Sequence, residues 1–288
     1  MNMTLAVLAG LAGELALYAT AARWLAPALS LVLGIGVFLG LRSAALAWLC
    51  SRAGVAGWPR LLPKELLAFL DVFTWGLLAQ RWLAPRAPAR VARGVLPVVF
   101  VHGILCNAGV WHRMLAALER QGAANLFTLN LEPPLGGMDG FARQLAARVD
   151  EACRAAGTQR AIIVAHSMGG LVARCWIARL DGAARAARLI TLGTPHHGSR
   201  LARGFPARWA GEMQCGSEWL ARLAGDAVPV TSIYSRHDEF VAPQESARLE
   251  GAHNIALEGV GHLELLRSKE VQRLVSAEIA SARGGRPS

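Results

Sequence analysis

The stretch Ala165-His166-Ser167-Met168-Gly169 sets a serine between two small residues. A serine hydroxyl is a weak nucleophile at neutral pH. It attacks a carbonyl efficiently only when an imidazole takes its proton and a carboxylate fixes the tautomer of that imidazole. The flanking sequence suits such a use. Ala161 to Val164 reads as a short buried parallel strand, and helical sequence begins at Gly170. A nucleophile on the sharp turn between strand and helix needs small residues two places before and two places after it. Ala165 and Gly169 meet that demand. Taken alone, the pentapeptide also fits a serine that caps an ordinary helix.

The pentapeptide resembles the nucleophile elbow of the α/β-hydrolase superfamily, and in detail its lipase and esterase branch, with Ala165 in place of the first glycine of G-x-S-x-G. The resemblance extends over residues 95 to about 283. It implies a nucleophile, an acid and a histidine in that order along the chain. Ser167, Asp238 and His262 supply them. Asp238 follows a strand candidate, Val230 to Tyr234, and His262 follows the last one, Asn254 to Leu257. Glu239 is the rival acid and is expected to be a solvated charge on the next helix. Asp181 and Asp226 fall at a helix end and in a loop, where Asp is ordinary. His253 precedes the last strand, and His237 is adjacent to the acid itself.

Two backbone N–H groups are needed where negative charge develops on the substrate oxygen. The resemblance assigns them to Met168, next after the nucleophile, and to Ile104, in the loop that begins His102-Gly103. His102, Gly103 and His166 are expected to border the bound substrate. Gly193-Thr194-Pro195-His196-His197-Gly198-Ser199 is similar to a GTPHxGS turn of bacterial lipases and related deacylases. An isolated His-His pair without further ligands at suitable spacing is a weak metal signal, so a structural turn beside the pocket is expected. No metal and no cofactor are needed for this chemistry. Leu201 to Gly225 carries Phe205, Trp209, Met213, Trp219 and Leu220, and reads as a short cap over the site, within an insertion near residues 199–228, that could line an acyl pocket.

Several elements must hold these residues. Strand candidates lie at Val98–Val101, Phe127–Leu131, Ala161–Ala165, Leu189–Leu192, Val230–Tyr234 and Asn254–Leu257, and helices at about Gly109–Arg120 and Phe141–Ala156. Alternating strands and helices predict a mostly parallel, doubly wound α/β sheet over residues 95–288. No glycine-rich phosphate loop has the required spacing.

The 288 residues leave room for a further region, and it lies at the N-terminus. Thr4 to Ala22 is apolar for 19 residues apart from Glu14, and Leu25 to Leu41 for 17 more. Each approaches the ~20 residues that cross a bilayer, so residues 1–50 predict a transmembrane helical hairpin. Gly36 and Gly40 are spaced to admit a second helix. Residues 51–94 predict an interfacial amphipathic helix, Trp58 to Leu83, and a Pro/Arg linker, Ala84 to Gly94; a helix packed on the domain's own core fits the first of these as well. Basic residues from Arg42 onward outnumber the acids Glu65 and Asp71, which places the catalytic domain on the cytoplasmic side of a bacterial-type inner membrane.

A formal net charge of +10 without any nucleic-acid motif points to an anionic membrane surface rather than to DNA or RNA. Five scattered cysteines fit neither a disulfide framework nor a zinc site. The expected partners are therefore the lipid bilayer and an ester or acyl substrate; the oligomeric state is left open. A membrane-anchored serine hydrolase is implied. An acyltransferase or thioesterase could use the same three residues, and a non-catalytic membrane scaffold on a hydrolase fold is the alternative of a different class.

Overall fold

A computed structural model describes residues 27–72, 88–203, 207–223 and 227–284. Its centre is a six-stranded parallel sheet of β1 (Val98–Val101), β2 (Leu126–Thr128), β3 (Ala161–His166), β4 (Ala186–Leu192), β5 (Val230–Ser235) and β6 (His253–Leu257), in the order β2-β1-β3-β4-β5-β6. All six expected strands are present. β2 stops at Thr128 rather than Leu131, and β4 begins three residues before Leu189.

Strand residues alternate between two apolar layers, as buried parallel strands must when both faces are covered. Val99, Val101 and Ile163 face a layer built on α4 (Met138–Ala156) and α5 (Met168–Arg179). Val98, Phe100, Ile162 and Val164 face another, which holds Trp111, α3 (His112–Arg120) and α9 (Lys269–Ala282). The strand order reverses at β1, which puts a topological switch point at the carboxyl ends of β1 and β3.

The N-terminal region departs from expectation. The residues of the first apolar run lie outside those described, so a hairpin is not observed. The second run belongs to α1 (Pro27–Ala53), a 27-residue helix about 40 Å long at the usual rise. It runs on past Arg42 because Ser43 to Ala53 holds no helix breaker, and it ends at Gly54 in the left-handed region, with the Val55 N–H on the Cys50 carbonyl. Its two ends have different surroundings. Ile35, Val37 and Leu41 are more than half exposed, whereas Leu46, Cys50 and Ala53 are buried, the last two with Leu61 and Ala242 of the folded domain. One stretch of α1, Ile35–Ala53, is long and apolar enough to cross a membrane. A Cβ at Gly36 or Gly40 would meet nothing within 4 Å, so no described helix uses that spacing.

The expected interfacial helix is replaced, as far as Leu70, by a 3-10 turn at Trp58–Arg60 and α2 (Leu62–Leu70). Gly57 at φ +64° and the prolines at 59 and 63 interrupt it. Helix α2 packs on the domain, with Glu65 and Ala68 buried; Trp75 and Trp82 lie outside the described residues. Asp71, just past α2, is clamped by Arg113 through two bonds of 2.7 and 2.8 Å. Burial opposes ionisation of Asp71, but hydrogen bonds from His112 and Arg113 override it and hold the carboxyl below its usual range. The described part of the expected linker, residues 88–94, is pinned as well. Asn125 bonds the main chain of Ala92 in both directions, and Gly94 donates to Ala156.

The described part of the segment 199–228 is helical in short pieces. It consists of a 3-10 turn at Arg200–Ala202, α7 (Arg208–Glu212) and α8 (Glu218–Ala221), after the one-turn α6 (Gly182–Arg185) earlier in the chain. Trp209 and Met213 are buried in the α4–α5 layer, and Glu212 accepts the Met138 N–H at 2.8 Å. Phe205 and Asp226 lie outside the described residues.

Candidate active site

Ser167 sits at the junction of β3 and α5 with φ 56° and ψ −130°, a conformation that side chains other than glycine rarely adopt. Close packing enforces it. A Cβ at Gly169 would lie 2.5 Å from the Val101 carbonyl oxygen and 2.6 Å from that of His102. A Cβ at Gly170 would lie 2.1 Å from Thr194 Oγ1. The Ser167 N–H donates to Leu192 O at 2.8 Å, and its carbonyl accepts from Thr194 Oγ1 at 2.9 Å. The serine therefore does not cap α5 through its side chain. The second glycine constraint, at 170, and the role of Thr194 were not read from the sequence; the signal was the Gly-Gly pair itself.

Asp238 and His262 meet at the neighbouring strand ends. Asp238 Oδ1 accepts the N–H groups of Phe240 and Val241, both at 2.8 Å, and its Oδ2 lies 2.6 Å from His262 Nδ1. Both residues are buried. A proton on Nδ1 makes this bond and leaves Nε2 with its lone pair free to accept one. Gly193, at φ +56°, is required here, since a Cβ would come within 3.0 Å of Asp238 Oδ2 and 3.2 Å of His262 Nδ1. Phe240 lies against the imidazole with ring centroids 5.1 Å apart.

The loop after β1 lies directly against the elbow: a Cβ on Gly103 would be 2.8 Å from Ser167 Cβ. Ile104 follows in that loop, and Leu105 adopts φ 51°. Met168 is the first residue of α5, where backbone N–H groups have no partner within the helix. His102 has a different place from the one expected. Its Nε2 accepts the Leu131 N–H at 3.1 Å and its Nδ1 donates to Gly103 O at 2.9 Å. Burial pushes this imidazole down to about 4, so it is a neutral tie between β1 and residue 131 and does not line the cavity. His166 does line it. Its Nε2 donates to the carbonyl of His262 at 3.2 Å, its ring packs on His262 at 4.6 Å, and burial followed by the charge of His262 keeps it well below the usual range.

Glu239 is not the solvated charge its sequence position suggests. It is buried, it accepts the His262 N–H at 3.1 Å, and burial pushes it up to about 7. Beside it lies Glu65 of α2, whose two oxygens accept the N–H groups of Leu263 at 2.6 Å and Glu264 at 3.1 Å. Nothing in the sequence pairs these residues. The adjacent histidines of the GTPHHG turn diverge: His196 is buried on Thr191, His197 is exposed, and Pro195 borders the cavity. His237 accepts from Gly259, and His253 lies 3.6 Å from Glu278 at the far end of the sheet. No group of metal-ligating side chains occurs among the described residues.

Ser167 and His262 open on one cavity of about 320 Å³. Its wall is mostly apolar. Ile104 and Leu105 come from the loop after β1, Trp209 and Met213 from the segment 199–228, Phe240 and Val241 from the acid loop, and Trp48 and Leu49 from α1. Arg52, Arg200 and Arg203 stand at the same cavity and are exposed. The arrangement has the parts for nucleophilic acyl transfer: a strained serine, a carboxylate-oriented imidazole at the same cavity, and the first N–H of α5 next to the serine.

Comparison with known proteins agrees with this fold. Residues 97–214 match the α/β hydrolase fold family. A triacylglycerol lipase of Pseudarthrobacter phenanthrenivorans is 31% identical over 114 residues, which cover 37% of this chain and 35% of that protein. Another, from Burkholderia plantarii, is 31% identical over 114 residues, 37% of this chain and 31% of its own length. The chain thus spans about a third of the length of these curated relatives. The structure resembles the mature lipase BlEst2 of Bacillus licheniformis, with a TM-score of 0.59 and 19% identity over 66% of this chain and 94% of that one. It also resembles Aspergillus fumigatus lipase B, with a TM-score of 0.61 and 20% identity over 73% and 58%. The fold is that of the α/β hydrolases, and part of the chain is similar in sequence to triacylglycerol lipases.

Proposed function

We propose that this α/β-hydrolase-fold chain is a membrane-anchored serine hydrolase that cleaves carboxylic esters, acyl lipids among them, through an acyl-enzyme. The observation that carries this is the 2.6 Å Asp238–His262 bond, joined at one cavity to a serine held in an elbow conformation. Ser167 Oγ attacks the ester carbonyl carbon while His262 Nε2 takes the hydroxyl proton. The oxygen of the tetrahedral adduct, now negative, is met by the N–H groups of Ile104 and Met168. Collapse breaks the ester C–O bond, His262 returns its proton to the departing alcohol, and the acyl group stays on Ser167. Water, deprotonated by His262, then releases the acid and restores the serine. Asp238 holds the imidazole tautomer and stabilises its cation throughout.

The apolar wall suits an acyl chain, and its contribution from α1 favours a lipid substrate. Trp48 is 60% exposed yet also lines the cavity, so the helix that offers apolar side chains outward reaches the catalytic serine's pocket with its last turns. A bilayer on the outer half of α1 would thereby deliver its lipids to the cavity mouth, where Arg52, Arg200 and Arg203 favour an anionic surface. The excess of Arg and Lys after α1 supports a cytoplasmic catalytic domain.

Hydrolysis of p-nitrophenyl esters of graded acyl length, by the wild type and Ser167→Ala in detergent and in liposomes, tests this. Activity that prefers long chains and disappears in the variant is expected. Equal activity in both proteins would overturn the nucleophile assignment.

A further inference from the structure

Three consecutive backbone N–H groups, those of His262, Leu263 and Glu264, end on two buried carboxyl groups. Glu239 takes the first, and Glu65 takes the other two from 198 and 199 residues away. The two carboxyls are neighbours, and the buried Oε1 of Glu239 takes no N–H group. They pack against Gly261, where a Cβ would strike Glu65 Oε2 at 2.2 Å and stand 3.1 Å from Glu239 Oε2. A carboxylate accepts hydrogen bonds and cannot donate one, so contact between two of them requires a proton. The charged and titratable groups that face the pair are Asp238 from the acid loop, His262 from its own loop and the Cys50 thiol at the end of α1. Among the described residues no lysine or arginine forms an ion pair with either carboxyl that would neutralise a second negative charge.

We propose that Glu65 is a positioning residue for the proposed base, and that its carboxyl, sharing one proton with Glu239, fixes the main chain of residues 262–264 so that the imidazole stays on Asp238. Glu65 holds the shared proton and donates it to the Glu239 carboxylate, while its oxygens keep the Leu263 and Glu264 N–H groups. Burial, and then the charge of Glu239, hold the Glu65 proton well above the usual carboxylate range. When the last proton leaves, two adjacent buried carboxylates repel and the loop is released. This extends the proposed serine-hydrolase chemistry and depends on His262 as its base. It also makes α2, which precedes the region matched to the hydrolase family, a working part of the site.

Full-length wild type, Glu65→Gln and Glu65→Ala in detergent micelles test it, each assayed for background-corrected p-nitrophenyl ester hydrolysis from pH 6 to 10. Amide hydrogen exchange of the peptide spanning residues 259–266 is measured in parallel. Glutamine keeps one acceptor and donates to Glu239 at every pH. The variant Glu65→Gln should therefore retain kcat within about threefold at pH 7 and lack the alkaline fall of the wild type. Alanine should lower kcat about 10- to 100-fold with little change in KM, and speed exchange in that peptide. Should alanine prevent folding, the glutamine profile alone decides. An identical alkaline profile in wild type and Glu65→Gln, or unchanged exchange in a folded Glu65→Ala protein, overturns the proposal. If the wild type hydrolyses no ester, the fault lies with the hydrolase assignment, and the exchange rates still decide whether Glu65 holds the loop.

Discussion

The two halves of the site are held by different physics. On the nucleophile side, backbone meets backbone: Gly103 on Ser167, Gly169 on two carbonyl oxygens, Gly170 on Thr194. Titratable groups there are buried histidines kept neutral, with His102 pushed down to about 4 by burial. On the histidine side, carboxyl groups do the holding, with Asp238 on the imidazole and Glu65 and Glu239 on its main chain. Shape fixes the serine and charge fixes its base. The first half is therefore sensitive to side-chain volume, and the second to protonation.

Asp238→Asn should give the largest change, a fall in kcat of about 10⁴-fold with the fold retained, because the amide favours the wrong imidazole tautomer; steady-state kinetics with circular dichroism check it. On the other half the largest effect comes from added volume. There Gly169→Val should cost about 3 kcal/mol in stability, read from urea unfolding, since two backbone oxygens must move.

The pH dependence of stability separates the halves by sign. Glu239 rises from 4.5 to about 7 on folding, so its contribution is complete below about pH 4.5 and is lost as pH climbs through about 7. His102 drops from 6.5 to about 4, so its contribution is complete above about pH 6.5 and is lost as pH falls through about 4. Thermal unfolding across pH should show Glu239→Gln flattening the alkaline limb alone, and His102→Gln the acid limb alone. Smallest of all, Trp48→Ala should raise KM for long-chain esters about tenfold and leave short-chain esters unchanged, since it removes apolar wall and touches neither half of the machinery.

The same contrast governs what could be read from the sequence. The elbow was legible because its constraint is local: a serine between small residues after an apolar run has few other uses, and the strands around it declare themselves by composition. Asp238 and His262 were candidates through the chain order that the α/β-hydrolase resemblance implies and through their places after strands. Glu65 and Asp71 looked like minor entries in a charge balance, yet one closes on the His262 loop and the other on Arg113. A lone carboxylate carries no mark of the N–H group it will meet 198 residues on, or of the guanidinium 42 residues on. Glu239 was misread for a related reason, since its neighbour Asp238 explained the loop and burial cannot be seen in a single charged residue. Helix α1 was placed by its apolar run, but its last turns dock through Leu46, Cys50 and Ala53, a face set by the partner surface rather than by hydropathy.

The most direct measurement is peptide mapping of the full-length protein after reaction with a fluorophosphonate probe. A single adduct on Ser167 is expected, formed far more slowly in Asp238→Asn and absent in Ser167→Ala. No adduct on a folded wild-type protein, or an adduct on another serine with ester hydrolysis intact in Ser167→Ala, would contradict the assignment of Ser167 as the nucleophile.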